Sequence, residues 1–147
     1  MIRRVVTHDV DGRSVVRSDG LADDLWVTTR DEPLGEDPGD GPAVLEPPPG
    51  GTRFRVVSVP PDAVMRAALA AHAVPGVGAD GFHRTHTVDY VLVLDGDITL
   101  ELDGGAVVLH AGDCVVQRGT NHAWRNLGDA PVRLLAVMVA LDPLRQT

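Results

Sequence analysis

Two short segments of the chain carry side chains capable of acid–base or metal chemistry at alternate positions. In the first, His83, Thr85 and Asp89 share one parity, and Val91 and Val93 continue it with apolar residues. Because alternate residues of a strand point to the same face, this face is predicted to line the interior of a β-structure. A carboxylate placed there needs a cation or hydrogen-bond donors, so Asp89 is predicted to have such a partner.

The second segment repeats the two-residue spacing with His122, Trp124 and Asn126, just after a Gly-containing turn. Imidazole and carboxylate groups act as general acids and bases and bind divalent metals. An isolated buried His is more often a hydrogen-bonded core residue than a ligand, so the spacing alone leaves a structural role open. Asn126 is interpreted as a turn or strand-end residue that bonds to the backbone.

Composition excludes several other mechanisms. The 147 residues include no Lys, since all 13 basic residues are Arg, and they include a single cysteine, Cys114. The absence of Lys excludes Schiff-base catalysis and a phosphate-binding P-loop. One Cys excludes disulfide frameworks, redox pairs and thiolate zinc sites, and no Ser lies in a G-x-S-x-G motif. The remaining ionisable chemistry belongs to His, Arg and the carboxylates.

The charge and hydropathy of the chain limit which partners and which cellular compartment are expected. The net charge of -8 disfavours binding to a phosphate backbone, so no nucleic-acid partner is predicted. No apolar run approaches the roughly 20 residues that span a bilayer, and no membrane partner is predicted. The start of the chain lacks the apolar stretch of a signal peptide, and one unpaired Cys suits a reducing compartment. We therefore predict a cytoplasmic protein.

The first fifty residues differ from the rest of the chain. Val-rich stretches flank Asp11-Gly12, which predicts a β-hairpin over 3–18, and 25–29 is predicted to be a short strand. Residues 31–50 contain six Pro and six acidic residues without a basic one, so they are predicted to be a loop or arm. We interpret 1–50 as a hairpin and acidic Pro/Gly-rich arm that belongs to the same domain as the remainder.

Residues 51–147 are predicted to form a small barrel. Residues 54–59 read as a strand ended by two Pro, and 63–72 as a short helix that Asp62 could cap. After a Gly/Pro loop over 74–81, Gly-rich turns separate further short strands. These are 83–94, 97–102, 106–110, 114–117, 122–126 and 131–141. Many short strands and almost no helix indicate an all-β sandwich or barrel.

The stretch from Gly81 to Asn126 resembles the two motifs of the cupins, RmlC-like jelly-roll barrels built as a double-stranded β-helix. In the first motif His83 matches the first His, Thr85 takes the place of the second, and Asp89 replaces the Glu. Gly112, Gly119, His122 and Asn126 match the second motif. The segments H-R-T-x-T-x-D-Y and V-Q-R-G-T-x-H-x-W-x-N are similar to those of small bacterial cupins, often uncharacterised or associated with secondary metabolism.

The resemblance implies a metal centre. Carried over by position, His83, Asp89 and His122 would bind a divalent metal, and two His with one carboxylate suit Fe and also accept Mn, Ni or Zn. His86 has the opposite parity, and a bulge near Thr85 could bring it in as a fourth ligand. Catalytic residues stay unassigned, with His86 and Tyr90 as candidates for acid–base roles. The resemblance also implies a homodimer.

The predicted substrate pocket is formed by residues close to these strands. It comprises Phe54, Thr85, Tyr90, Gln117 and Trp124, and an Arg such as Arg55, Arg84 or Arg118 could pair with an acidic substrate. We expect a cupin that acts on a small organic molecule as a dioxygenase, isomerase, dehydratase or decarboxylase. The alternative is a non-catalytic binding or accessory cupin without metal.

Overall fold

The computed structural model describes residues 1–32 and 45–141, and these form ten strands and one helix. In chain order the elements are β1 (Ile2–Val10), β2 (Arg13–Ala22), β3 (Asp24–Thr28), β4 (Thr52–Val59), α1 (Asp62–Ala71), β5 (Thr87–Val93), β6 (Asp97–Leu102), β7 (Gly105–His110), β8 (Cys114–Arg118), β9 (His122–Arg125) and β10 (Val132–Ala140). The predicted all-β jelly roll with one short helix is confirmed. Most of the predicted arm over 31–50 lies outside the described residues. In the described ranges, no helix is long and apolar enough to cross a membrane.

Two antiparallel sheets enclose the core. The larger has the strand order β3-β4-β10-β5-β8, and the smaller has the order β7-β6-β9. Val93 and Leu134 of the larger sheet and Ile98 of the smaller one are almost fully buried in a common cluster of aliphatic side chains. The alternating pattern of β10, with every second residue buried, follows from one face of each sheet turning inward.

The N-terminal hairpin forms as predicted. Asp11 and Gly12 have φ values of 52° and 78°, the left-handed conformation that a two-residue turn of type I′ requires. β1 and β2 pair with each other in a separate two-stranded sheet.

The helix starts differently from the prediction. Pro61 occupies the position before the first helical residue and makes no side-chain capping bond, so Asp62 is not the cap. Asp62 instead lies in the first turn, where its Oδ2 accepts a hydrogen bond from Nε of Arg66 at 2.7 Å. The fixed φ of Pro61 suits entry into a helix, and a carboxylate in the first turn interacts favourably with the helix dipole.

The strand predicted to begin at residue 83 begins at Thr87 instead. β8 pairs with β5 only from Val88 onward, so residues 83–86 have no continuous neighbour in that sheet. His83 pairs through single bridges with Val77 and with His122 of the opposite sheet. The bridge between His83 and His122 brings together the two segments that were predicted to carry the functional side chains.

Candidate functional site

A cavity of about 250 Å³ lies inside the barrel and is closed on one side by α1 and the loop that follows it. Most of its wall is aliphatic, and its charged or titratable members are few. The side chains and backbone that line it are those of Leu45, Arg55, Val57, Ser58, Val59, Met65, Leu69, Val74, Val77, Gly81, His83, Asp89, Val91, His122, Trp124, Leu134, Ala136 and Met138. A concave apolar cavity with a few convergent polar groups is typical of a small-molecule site.

Two imidazoles stand side by side at this cavity. The backbone N–H of His83 donates to the carbonyl oxygen of His122 at 2.9 Å, and the N–H of His122 donates back to His83 at 3.1 Å. This reciprocal pairing holds the ring centroids 4.3 Å apart, with the ring planes at 56°. The predicted association of these two residues is therefore present, although His83 is not part of a strand.

The orientation of both rings is set by backbone carbonyls. Nδ1 of His83 donates to the carbonyl oxygen of Gly81 at 3.0 Å, and Nδ1 of His122 donates to that of Thr120 at 2.8 Å. A carbonyl oxygen can only accept, so in the neutral rings the proton lies on Nδ1 and Nε2 keeps its lone pair. The same arrangement orients His side chains that bind metals.

The protonation state of His122 follows from its burial. Desolvation is the main cause that lowers its pKa to about 4, the hydrogen bond to Thr120 opposes the shift, and the nearby His83 adds to it. His122 is consequently neutral near pH 7 and able to accept a proton or bind a cation through Nε2.

Asp89 is buried at the end of a chain of hydroxyl groups. Oγ1 of Thr87 donates to Oδ1 of Asp89 at 2.5 Å, and the hydroxyls of Thr85 and Thr87 are 2.6 Å apart. Burial raises the pKa of Asp89, while the bond from Thr87 and the proximity of His83 act in the opposite direction. The hydrogen-bond donor predicted for the Asp89 carboxylate is therefore the hydroxyl of Thr87. Thr85, the next member of the chain of hydroxyls, is also buried.

Trp124 and Arg55 also line the cavity. Trp124 contacts His122 edge-on, with ring centroids 5.9 Å apart and planes at 82°. Arg55 lies on the inward face of β4, opposite Ala136, and burial lowers the pKa of its guanidinium. Of the aromatic residues predicted for the pocket, Trp124 lines it.

Several predicted site residues lie elsewhere. Phe54 and Tyr90 both pair with Val137, on the outward face of the larger sheet, and neither lines the cavity. The placement of these two aromatics in the pocket is therefore corrected. His86 is exposed and lies outside the cavity lining, and Gln117 is buried opposite Asp89 without lining the cavity.

The sequence analysis missed the wall contributed by α1 and the following loop. Met65 and Leu69 of α1 and Val74 and Val77 of the loop contact the cavity. The four-residue spacing of Met65 and Leu69 was an available signal, because such residues share one face of a helix. This spacing indicates that the helix has an apolar face, but it does not indicate that the face closes the cavity.

The donor types at the cavity, two imidazoles and one carboxylate, are types that bind a divalent metal. Across residues 1–32 and 45–141, however, no group of three or more His, Cys, Asp or Glu side chains is arranged to hold a metal ion. The geometry therefore provides a His pair and a neighbouring Asp rather than a completed ligand cluster.

Comparison with known proteins supports the fold and the family. Residues 71–138 match the family described as "Cupin domain". The barrel that contains this segment has the cupin fold. Cupin domains commonly bind metals, and the matched range includes His83, Asp89 and His122.

The curated relatives are fungal. The cupin segment is similar to "Phomopsin biosynthesis cluster protein C'" of Diaporthe leptostromiformis, with 46% identity over 79 residues, 53% of this chain and 34% of that protein. "Cupin-domain-containing oxidoreductase fogC" of Aspergillus ruber is 26% identical over 155 residues, which cover 95% of this chain and 72% of that protein. The chain thus spans about a third of the length of the first of these relatives. The fungal origin corrects the expected similarity to a bacterial subgroup, whereas the association with biosynthesis clusters agrees with it.

Solved structures also include similar folds. A protein described as a sugar phosphate isomerase from a cupin superfamily, from Silicibacter pomeroyi, aligns with a TM-score of 0.44 and 22% identity. The alignment covers 61% of this chain and 51% of that one.

Proposed function

We propose that this cupin domain is an enzyme of the oxidoreductase class that acts on a small, largely apolar organic molecule bound in the barrel cavity. The observation that carries the proposal is the pair formed by His83 and His122, whose Nδ1 atoms are committed to backbone carbonyls. The fold does not require imidazoles at these two positions, because a pair of apolar side chains could fill the same space inside the cavity. The available Nε2 atoms therefore point to a functional role. Such groups are typical of binding or catalysis.

The cavity favours an apolar substrate with one polar end. Aliphatic side chains of both sheets and of α1 form most of its wall, and the titratable groups His83, Asp89 and His122 are joined by one guanidinium, that of Arg55. A planar substrate would contact Trp124, while a carboxylate or enolate would be attracted to Arg55. The fungal relatives named as oxidoreductases support redox chemistry over isomerisation or decarboxylation.

A divalent metal is the proposed cofactor, and His83, His122 and Asp89 are the residues that would hold it. Fe, Mn, Ni and Zn all accept two imidazoles and a carboxylate, and such an ion would polarise an oxygen of the substrate. The residues of the chain itself would exclude water, orient the substrate against Trp124 and keep His122 neutral. The low pKa of His122 supports this role, because a protonated ring cannot ligate.

A second candidate function is metal-free binding of a small molecule. Thr85 occupies the position of a further His ligand and is bonded to Thr87 instead. Gln117 lies opposite Asp89 and has a buried Oε1 without a hydrogen-bond partner among the described residues. A protonated Asp89 could donate to such an acceptor, which agrees with the raised pKa of its carboxyl group. The hydrogen bond from Thr87 and the neighbouring Gln117 give Asp89 polar partners within the protein, which favours a cavity that holds no metal.

Metal analysis of the purified chain separates the two functions. We expect close to one equivalent of Fe, Mn, Ni or Zn per chain, and a loss of metal affinity of at least about 10-fold in His83→Ala and in His122→Ala. His110→Ala removes an exposed imidazole from β7 and is the matched control, with unchanged metal content. Oxygen uptake with phenolic or β-dicarbonyl compounds then tests the redox assignment. Absence of stoichiometric metal, together with ligand-dependent Trp fluorescence that chelators do not alter, would establish the second candidate.

A further inference from the structure

Arg125 is a buried cation that lies next to the cavity without lining it. It follows Trp124 in β9, and only 8% of the residue is exposed. Successive residues of a strand point to opposite faces, so the side chain of Arg125 leaves β9 on the side away from the cavity that Trp124 lines. A guanidinium keeps its charge in proteins, and burying it without partners is costly. The contacts that offset this cost indicate the role of Arg125.

Four groups from different parts of the chain surround this guanidinium. Nε lies 2.5 Å from Oε2 of Glu101 on β6, and Nη1 lies 3.6 Å from Oδ1 of Asp62 in the first turn of α1. Nη1 also donates to the carbonyl oxygen of Asp80, and the guanidinium lies over the ring of Phe82, 5.5 Å from its centroid. The last two contacts are with the loop between α1 and β5. Arg125 therefore ties this loop to β6 and to the start of α1.

The contact with Asp80 holds a peptide segment that orients His83. Asp80 and Gly81 are consecutive, and the carbonyl oxygen of Gly81 accepts the hydrogen bond from Nδ1 of His83 at 3.0 Å. Gly81 has a φ of 86°, a conformation that residues other than Gly rarely adopt. A Cβ at Gly81 would lie 3.3 Å from Nη1 of Arg125, so the guanidinium packs directly against this glycine. The position of the Gly81 carbonyl consequently depends on Arg125.

The ring of His122 is held in a different way. Its Nδ1 donates to the carbonyl oxygen of Thr120, in the short turn that leads into β9, and its own backbone pairs with Leu102 of β6. His83 belongs to the loop before β5 and pairs only through single bridges. One imidazole of the site is thus fixed by a strand, and the other is fixed by a loop that Arg125 anchors.

The hydrogen bond to Gly81 selects the tautomer of His83. While the Gly81 carbonyl accepts from Nδ1, the neutral ring carries its proton there and the lone pair stays on Nε2. If the carbonyl moves out of reach, the proton can also reside on Nε2, and that nitrogen then has no lone pair to bind a cation or accept a proton. Groups that orient a ligating His in this way typically change metal affinity by about 10–100-fold.

We propose that Arg125 is a positioning residue of the site: by holding the carbonyl of Asp80 it keeps the carbonyl of Gly81 against Nδ1 of His83, and so keeps the lone pair of His83 on Nε2. The use of that lone pair rests on the proposed function, whereas the tautomer depends on neither metal nor substrate. Arg125 lies outside the cavity lining, so it acts through His83 and not on the ligand.

Long-range ¹H–¹⁵N correlation spectra of the ¹⁵N-labelled, metal-free full chain test this role, because they report which ring nitrogen of each His carries the proton. His83→Gln and His122→Gln assign the signals. At about pH 8, above the usual pKa of His, we expect the Nδ1–H form for both residues. In Arg125→Met the ratio of the Nδ1–H to the Nε2–H form of His83 should fall about 5-fold, because the hydrogen bond that favours Nδ1–H is weakened. The tautomer of His122 should stay unchanged in the same spectrum.

Two further variants distinguish positioning from a general loosening of the fold. Gly81→Ala strains the φ of 86° and places a Cβ against Nη1 of Arg125, so it should change the tautomer of His83 in the same direction. Asn126→Ala is the matched control, because the side chain of Asn126 bonds to the end of β4 and to the loop between β9 and β10 and not to Asp80 or Gly81. It should destabilise the chain and leave the tautomer of His83 as it is.

The tautomer and the metal content are separate readouts. An unchanged tautomer of His83 in Arg125→Met, an equal change at His122, or the same change in Asn126→Ala would each overturn the positioning role, whatever metal the chain binds. A tautomer change confined to His83, in a native chain that binds no metal, would support the positioning role and count against the proposed cofactor.

Discussion

The buried amide of Asn126 allows a quantitative test of the hydrogen bonds that connect β4 to the loop between β9 and β10. Its side chain is 1% exposed and makes three hydrogen bonds. Nδ2 donates to the carbonyl oxygens of Val59 at 2.9 Å and of Ala130 at 2.8 Å, and Oδ1 accepts from the N–H of Gly128 at 3.0 Å. One amide thus connects the end of β4 to the loop between β9 and β10, as the interpretation of Asn126 as a backbone-bonding residue predicted.

We expect Asn126→Ala to lower the free energy of unfolding by about 3 kcal/mol. The carbonyl of Val59 belongs to a buried residue, so leaving it unpaired costs about 1–3 kcal/mol. Gly128 and Ala130 are exposed, and water can replace their bonds, which reduces their joint contribution to about 1 kcal/mol. For a chain of this size the change corresponds to a decrease in Tm of about 10 °C.

Urea denaturation followed by circular dichroism measures this effect. Asn121→Ala is the matched control, because its Nδ2 donates to Oδ1 of Asp103 at the exposed surface and should be worth less than about 0.5 kcal/mol. Asn126→Asp keeps the acceptor and loses both donated bonds, so it should be at least as unstable as Asn126→Ala. A loss below about 1 kcal/mol in Asn126→Ala would show that the buried carbonyl finds another partner and that the reasoning is wrong.

Two further predictions concern buried ionisable groups. The pKa of His122 is lowered from 6.5 to about 4, so the unfolded chain takes up a proton at a higher pH than the folded chain does. The free energy of unfolding of the metal-free protein should therefore fall by about 3 kcal/mol as the pH falls from 6.5 to 4. In His122→Gln this dependence of the unfolding free energy on pH should disappear, and an unchanged dependence would contradict the assignment. Arg125→Met removes a buried guanidinium whose Nε lies 2.5 Å from Glu101 and which packs over Phe82, and it should cost about 2 kcal/mol in urea denaturation. Glu101→Gln keeps an acceptor and should cost less, whereas equal losses would show that the charge of Glu101 accounts for the whole contribution of Arg125.

Local signals predicted the elements well, because they depend on neighbouring residues. Asp11-Gly12 predicted a hairpin, since few other dipeptides accept positive φ at both positions of its turn. The strand predicted over 97–102 is β6, and its Gly-containing turns are where the chain reverses. The inward direction of Asp89 was also predictable, because Val91 and Val93 continue its parity into the core.

Proximity in sequence to the site strands predicted the pocket residues less well than parity predicted the inward face. Phe54 was expected in the pocket, yet Arg55 is the neighbour that lines it. The hydrophobic pattern of their strand does not show which face turns toward the barrel interior. That depends on which elements pack on each face, and the sequence of the strand does not specify them. Tyr90 was placed in the pocket because it follows Asp89 directly, although its parity is opposite to that of Asp89 and it lies on the outward face.

By itself the sequence determined the candidate chemical groups and their local spacing: two His and one Asp at cupin-like motif positions, in a chain that has no Lys. Only the tertiary structure decided which of these groups meet. His83 and His122 are 39 positions apart in the chain and come together through a bridge between two sheets, while α1 closes the cavity beside them. Local periodicity extends over a few residues, whereas contacts across sheets depend on the packing of the whole barrel.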